Sequence, residues 1–300
     1  MHKGWYVCNA FLNTEKFNEL REMMIASAAR LNIDLQVKTN AELLCVVNTG
    51  SVALLDGAVP PGFVLFSDKD LRLAKSLESM GLRLFNTAAA IEVCDDKSLT
   101  QRVLCAHGIP MPKTICCPMT YEGVGYSDMR FVARVVDELG LPLVVKECYG
   151  SFGQQVHLAD TPGDVHAIVR QIGYRPLLFQ EFIATSRGHD LRVNVVGERC
   201  VAAMYRYSES DFRANITAGA RMQPYEPTEE QAALAVACCR YLGLDFAGVD
   251  ILFGEHETPL VCEVNSNAQV RNIFDCTGIN IADAIFDYIL RTLARERSSA

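Results

Sequence analysis

Three polar residues interrupt apolar strand-like runs near the carboxyl end of the chain. Asp250 lies within one run, and Glu263 and Asn265 close the next. Because side chains alternate along a strand, Glu263 and Asn265 share one face, and a hairpin at residues 254–258 would bring Asp250 opposite them. Two carboxylates and an amide oxygen suit Mg²⁺, which prefers hard oxygen ligands and shares them with substrate phosphates. The alternative is an edge strand with solvated acidic side chains.

A lysine and a glycine-bearing loop follow another apolar run. Lys146 ends the run, and Gly150, Ser151, Phe152 and Gly153 come shortly after it. Backbone N–H groups in such a turn can approach a polyphosphate closely, and a nearby lysine neutralises its charge. Taken alone, an ordinary hairpin loop beside a lysine that extends to solvent is the simpler interpretation. A Walker loop is excluded, because no Gly-Lys-Ser/Thr follows.

Arginines on a predicted strand and loop are candidates for anion recognition. Arg206 ends a strand, and Arg213 and Asn215 lie in the loop that follows. Arginine suits phosphate or carboxylate binding, although a solvated loop is the simpler alternative. Asp190 and Arg192 share a strand face, for which a surface ion pair is the simplest interpretation.

The elements that must position these residues change in type along the chain. The first hundred residues alternate short apolar runs with amphipathic stretches, which predicts strands and crossover helices in an α/β layer, with Asn86 as a helix cap. The proline-rich stretch at 109–112 predicts a domain boundary there or just before it. Later runs read as antiparallel strands mixed with helices, which predicts an α+β module. These strands are expected at 141–147, 177–183, 190–196, 199–207, 247–253 and 260–265.

The composition excludes several classes of protein. Of the 300 residues, 50% are hydrophobic and 21% are charged, so one large core or several modest ones are expected. The net charge of −8 argues against nucleic-acid binding. No apolar run approaches the roughly 18 residues of a membrane span, and the amino terminus lacks a signal-peptide pattern, so we expect a cytoplasmic protein with no membrane partner. The 12 cysteines lack zinc spacing and are expected to be mostly buried thiols.

Taken in order, the motifs resemble the ATP-grasp superfamily, and specifically the RimK-type α-L-glutamate ligases. No single motif is decisive, but the ordered set is highly specific. The motifs lie at residues 66–70, 94–100, 108–114, 146–153, 180–183, 188–192, 211–215, 247–251 and 263–266.

The resemblance implies an α/β plus α+β fold. An amino-terminal Rossmann-like pre-ATP-grasp domain, residues 1–95, would precede a two-subdomain ATP-grasp fold. Its central subdomain would span 96–182, and its carboxy-terminal subdomain, 183–300, would carry the metal ligands. Relatives of this kind imply a homo-dimer or homo-tetramer.

The implied activity is ATP-dependent carboxylate–amine ligation through an acylphosphate. It would add glutamate or another amino acid to a peptide, a protein tail or a small-molecule carboxylate. Two alternatives stay open at this point: an ATP-binding module without ligase activity, and a small-molecule kinase on the same fold.

The resemblance also implies roles for individual residues. The catalytic residues would be Arg213, Lys146 and Asn215. The ATP-binding residues would be Lys97, Lys146, Gly150, Ser151, Gly153, Gln180, Glu181, Phe182, Ile183, Asp190, Arg206 and Arg213. The ligands of two Mg²⁺ ions, with Mn²⁺ as an alternative metal, would be Asp250, Glu263 and Asn265.

Two departures from the family pattern bear on substrate binding. Gln155 replaces a glycine that the family loop usually carries, which is expected to stiffen the loop without preventing nucleotide binding. The family's serine, proline and glycine after Ser266 are replaced by a predicted loop at 267–272. In that loop, Arg271 is expected either to hold a substrate carboxylate or to reach solvent.

Overall fold

The computed structural model describes residues 2–151 and 153–299 of the chain. Within these ranges one parallel sheet, two antiparallel sheets and a small hairpin are formed. Phe152 of the predicted glycine loop lies outside the described residues. Among the described helices, none is long and apolar enough to cross a membrane.

The amino-terminal part is a parallel sheet with helices between its strands. Its elements are β1 (His2–Cys8), α1 (Glu15–Arg30), β2 (Ile33–Thr39), β3 (Cys45–Asn48), β4 (Ser51–Leu54), β5 (Phe63–Phe66), α2 (Leu71–Ser79), β6 (Leu84–Phe85) and α3 (Ala88–Asp95). The strands pair in the order β2-β1-β5-β6, all parallel, which confirms the predicted α/β layer. The sequence analysis missed the antiparallel hairpin of β3 and β4.

The central part carries the first antiparallel sheet. Its elements are α4 (Lys97–Ala106), β7 (Thr114–Cys116), α5 (Phe131–Leu139), β8 (Leu143–Glu147), β9 (Val156–Ala159), α6 (Pro162–Ile172) and β10 (Leu177–Glu181). The strand order is β7-β10-β8-β9, and α5 and α6 pack on the sheet around a core that includes Phe179. Leu104 of α4 packs instead with the core of the carboxy-terminal sheet.

The carboxy-terminal part carries the larger antiparallel sheet. Its elements are β11 (His189–Val196), β12 (Arg199–Tyr207), β13 (Arg221–Pro224), α7 (Glu229–Tyr241), β14 (Phe246–Phe253), β15 (Pro259–Asn265), α8 (Val270–Thr277) and α9 (Ile281–Ser299). The order β13-β12-β11-β14-β15 puts β11 and β14 at the centre. The domain boundaries at 95/96 and 182/183 stay predictions.

One hydrophobic core joins the two ends of the chain. Tyr6 and Phe63 of the parallel sheet and Met24 of α1 pack with Ile273 of α8 and Phe286 of α9. Burial of this apolar surface fixes the amino-terminal sheet against the large antiparallel sheet. Side chains at the start of α1 are thereby held beside the hairpin of β14 and β15.

Asn86 joins the same two parts through hydrogen bonds. It was predicted to cap a helix, which is wrong, because Thr87 caps α3. Asn86 is fully buried. Its Nδ2 donates to the carbonyl oxygens of Phe246 and Ser266, both at 3.0 Å. Its Oδ1 accepts from the backbone N–H groups of Asp245 and Phe246 at 2.6 and 3.2 Å.

Replacing Asn86 by alanine should lower the free energy of unfolding by about 3 kcal/mol, because buried backbone groups lose their partners. Urea denaturation measures the loss. The matched control is Asn13→Ala, since the Asn13 amide bonds only an exposed carbonyl in a loop; it should change stability by less than about 0.5 kcal/mol. Equal effects of the two variants would contradict the bridging role of Asn86.

Candidate active site

Two arginines and two aspartates form a buried ion network on the large antiparallel sheet. The strand register puts Asp190 opposite Arg206 and Arg192 opposite Asp250. Arg206 donates to both carboxylate oxygens of Asp190 at 2.7 and 2.6 Å, and its Nη2 lies 3.0 Å from Oδ1 of Asp250. Nη2 of Arg192 donates to Oδ2 of Asp250 at 2.8 Å. The predicted surface pair of Asp190 with Arg192 is therefore wrong, because each has a cross-strand partner.

The network keeps the Asp250 carboxylate charged. Burial acts to raise the pKa of Asp250, but the charges of Arg192 and Arg206 outweigh burial and lower it. Asp190 contacts only one of these guanidinium groups. Burial raises the pKa of Asp190 more than Arg206 lowers it. Of the two aspartates, Asp250 is therefore the one whose negative charge the network stabilises more strongly.

The hairpin of β14 and β15 places the predicted metal ligands together. Asp250 pairs with Glu263, as the sequence predicted, whereas Asn265 pairs with Gly248, two positions away on β14. Lys97 Nζ lies 3.2 Å from Oε1 of Glu263. The carboxylates of Glu263 and Asp250 are therefore each paired with a cationic side chain, Lys97 and Arg192 respectively.

The donor set of this hairpin suits a hard divalent cation. No group of three His, Cys, Asp or Glu side chains with metal-binding geometry occurs within residues 2–151 and 153–299. Two carboxylates and one amide oxygen would leave coordination positions for phosphate oxygens, which is how Mg²⁺ is usually bound. Asp250, Glu263 and Asn265 therefore fit Mg²⁺ that is shared with a phosphorylated substrate.

Lys146 is buried at the end of β8 and is held by a second strand. Its Nζ donates to Oε1 of Gln180 on β10 at 2.6 Å and lies 3.5 Å from Sγ of Cys262. Nε2 of Gln180 donates in turn to Oγ1 of Thr114 at 2.9 Å. An ammonium group has three N–H donors, so one donor of Lys146 stays available to a ligand. The interpretation of Lys146 as a solvent-exposed lysine is wrong, since the residue is only 7% exposed.

The glycine loop and the Arg213 loop meet across the cleft. Nη1 of Arg213 donates to the carbonyl oxygens of Gly153 at 2.6 Å and Val156 at 3.2 Å. Gly153 has φ of +72°, and a Cβ there would lie 2.5 Å from Oδ1 of Asn215. Asp211 pairs with the same guanidinium at 2.8 Å. The two loops therefore close over the space between the antiparallel sheets.

Gln155 makes a hydrogen bond within this loop, and its stiffening effect stays a prediction. Its Oε1 accepts from the backbone N–H of Ser151 at 3.3 Å. Ser151 Oγ accepts from Nζ of Lys69 at 3.3 Å, which ties the loop to the amino-terminal part.

All the site residues predicted from the sequence line two adjoining cavities. The smaller cavity, about 100 Å³, lies between the two antiparallel sheets. The predicted site residues that line this cavity are Lys97, Lys146, Gly153, Gln180, Glu181, Phe182, Ile183, Asp190, Arg206, Arg213, Asn215, Asp250 and Glu263. The larger cavity, about 480 Å³, adds Gly150, Ser151 and Asn265. The cavities share Lys97, Arg206, Asn215, Asp250 and Glu263, so they form one continuous site.

The larger cavity also contains residues that were not among the predicted site residues. Lys16 and Phe17 of α1 line it, as do Lys69 and Gln269. No local sequence signal marks Lys16, because only the packing of α1 brings it to the site.

The segment after Asn265 also differs from the sequence prediction. The predicted loop at 267–272 is wrong in its second half, because α8 begins at Val270. Of the two expectations for Arg271, the structure favours exposure, since its Nε pairs with Asp275 at 2.8 Å on the helix surface.

Comparison with known proteins identifies similar chains. Residues 94–289 match the RimK-like ATP-grasp domain. A probable alpha-L-glutamate ligase of Legionella pneumophila is 34% identical over 72% of this chain and 69% of the relative. Beta-citrylglutamate synthase B of Danio rerio is 33% identical over 76% of this chain, which spans only 55% of that relative. D-alanine–D-alanine ligase from Bacillus anthracis has a TM-score of 0.75 at 18% identity, covering 100% of this chain and 99% of that one.

Arg206→Met should lower the free energy of unfolding by about 3–5 kcal/mol, because two buried carboxylates lose a shared cation. Chemical denaturation measures the change, and the double variant Arg206→Met with Asp190→Leu should recover part of it. Arg221→Met on the neighbouring strand β13 is the matched control, because the Arg221 side chain is 71% exposed. If both arginine variants behaved alike, the buried network would not be a stabilising unit.

Proposed function

This chain belongs to the RimK-like ATP-grasp family and is an ATP-dependent carboxylate–amine ligase, and we propose that it adds glutamate to a carboxylate acceptor. The observation that carries the proposal is the continuity of the two cavities at Lys97, Asp250 and Glu263. A nucleotide in the smaller cavity would direct its phosphates toward substrates in the larger one. The names of the Legionella and Danio relatives support glutamate as the amino acid.

The smaller cavity has the features of a nucleotide site. Val144, Leu252 and Cys262 give it apolar walls, and the strand end at Glu181–Ile183 offers backbone groups to a flat base. Asp190 would accept a hydrogen bond from a ribose hydroxyl, since a carboxylate has acceptor sites beyond those that Arg206 uses. Lys146 would donate to a phosphate with its available N–H.

Catalysis would require positioning and charge neutralisation rather than an enzyme nucleophile. An oxygen of the acceptor carboxylate attacks the γ-phosphorus, the bond to the β-phosphate oxygen breaks, and ADP leaves. The amino acid's neutral amine attacks the carbonyl carbon of the acylphosphate, inorganic phosphate leaves, and the amine loses a proton as the amide forms. Arg213 would stabilise the negative charge that develops in both steps.

The predicted metal ligands would contribute through the ions that they bind. Two Mg²⁺ ions, or Mn²⁺ in their place, would be held by Asp250, Glu263 and Asn265 and would supply charge neutralisation of the phosphates. Lys97 and Arg192 hold the same carboxylates in the present state. A bound cation would therefore have to share these carboxylates with Lys97 and Arg192 or displace their side chains.

Incubation with ATP, Mg²⁺, L-glutamate and a panel of carboxylates should release phosphate only when amine and acceptor are both present. Mass spectrometry should detect the amide. Nucleotide binding without turnover for any acceptor would contradict ligation. A stable phosphate ester on a hydroxyl group, which unlike an acylphosphate resists hydroxylamine, would identify a kinase instead.

Lys146→Met and Glu263→Gln should each lower kcat/KM by about 100-fold or more, because transition-state charge loses a fixed partner. Circular dichroism should show an intact fold for both variants. Lys113→Met and Glu255→Gln are the controls, since both residues are exposed and outside the two cavities. Activity close to that of the unmodified chain in Lys146→Met would remove Lys146 from the catalytic residues.

Gly153→Ala should reduce kcat/KM for ATP by about 10- to 100-fold, because the new methyl group displaces Asn215 and misplaces the loop. Gly125→Ala tests backbone strain alone, since Gly125 has φ of +65° and no atom within 4 Å of an added Cβ. Steady-state kinetics at varied ATP would compare them. An equal loss in both variants would show that strain, not the contact with Asn215, is responsible.

A further inference from the structure

The larger cavity has a wall that the nucleotide does not require. Lys16 and Phe17, at the start of α1, form one side of this wall, and Asn267 and Gln269 form the other. Nδ2 of Asn267 donates to the carbonyl oxygen of Asp68 at 3.0 Å, which ties the segment before α8 to the amino-terminal part. Both sides of the wall are thus fixed relative to the candidate metal hairpin.

Lys16 lies near another cation inside this cavity. Burial and the guanidinium of Arg192 lower the pKa of Lys16. Arg192 lines the same cavity, and its side chain packs over Gly248, where an added Cβ would lie 3.0 Å from Nη1 of Arg192 and 2.7 Å from the Cβ of Ala268. Arg192 is already paired with Asp250, but the ammonium of Lys16 is costly to keep charged in a concave, partly desolvated site, which favours an anion beside it. A carboxylate is the anion that a ligase of this class would bring there.

Gln269 contributes a hydrogen-bond acceptor to the same cavity. Within the described part of the chain, its Oε1 is buried without a hydrogen-bond partner. Gln269 precedes α8 at the N-cap position, yet its side chain makes no capping hydrogen bond. A buried carbonyl oxygen without a donor is costly, so this position favours a ligand that carries N–H groups.

We propose that Lys16 and Gln269 are specificity-determining residues for the incoming acidic amino acid. Lys16 binds its side-chain carboxylate, and Oε1 of Gln269 accepts a hydrogen bond from its amino group. The hydrogen bond leaves the nitrogen lone pair directed away from Gln269, so it can point toward the acyl carbon. The inference rests on the proposed function. The amino acid is favoured over the acceptor, because an acceptor needs a carboxylate but no N–H donor.

The test compares Lys16→Met, Lys16→Arg and Gln269→Met with the unmodified chain in steady-state assays. Lys16→Met should raise the KM for L-glutamate about tenfold or more and remove the preference for glutamate over glutamine, with kcat and the KM for ATP nearly unchanged. Lys16→Arg should restore much of the preference. Gln269→Met should raise the KM for both amino acids equally. Lys75→Met is the control, because Lys75 pairs with Glu92 on the surface and lies outside this cavity.

The outcomes separate this inference from the proposed function. A Lys16→Met variant with an unchanged KM for glutamate, or with a raised KM for the acceptor instead, would overturn the inference while ligation stands. If the unmodified chain performs no ligation, the proposed function fails. In that case, calorimetry of L-glutamate binding in the presence of a non-hydrolysable ATP analogue and Mg²⁺ decides whether the inference stands. Binding that Lys16→Met weakens supports the inference, and absence of binding to the unmodified chain overturns it.

Discussion

At the centre of the large antiparallel sheet, two arginines and two aspartates are buried together, and the geometry of the site depends on their pairing. Each charge faces an opposite charge on the adjacent strand, which offsets the cost of removing it from water. Because three strands contribute, a slip of one residue between any two of them would leave a buried charge unpaired. The network therefore fixes Asp250 opposite Arg192, and the hairpin of β14 and β15 then places Glu263 beside Asp250 at the shared edge of the two cavities.

The second constraint is the attachment of the amino-terminal sheet to this network. The shared core of α1, α8 and α9 and the buried hydrogen bonds of Asn86 hold the two parts in one arrangement. Because of this attachment, the hairpin of β14 and β15 lines the larger cavity together with α1. The attachment also gives α1 and the segment before α8 a role in substrate binding, although neither carries a recognisable motif.

Much of the fold could be predicted from local patterns. The strands expected at 190–196, 199–207, 247–253 and 260–265 all form within one residue of those bounds. The short strands β3 and β4, with several exposed apolar residues, lack a clear alternation, and they were missed. Asn86 was misassigned because an asparagine before a helix resembles a cap locally, whereas its actual partners lie about 160 to 180 residues further along the chain.

The sequence identified the candidate residues of the site, because their ordered motifs resemble those of the ATP-grasp ligases, and all of these residues line the two cavities. It also predicted the hairpin that joins Asp250 to Glu263, since strand alternation and a short turn are local properties. The partners of Arg192 and Arg206, the closure of the Arg213 loop on Gly153 and the position of Lys16 become visible only in the folded chain. Those contacts depend on strand register and on packing between distant segments, and neither follows from the spacing of residues along the chain.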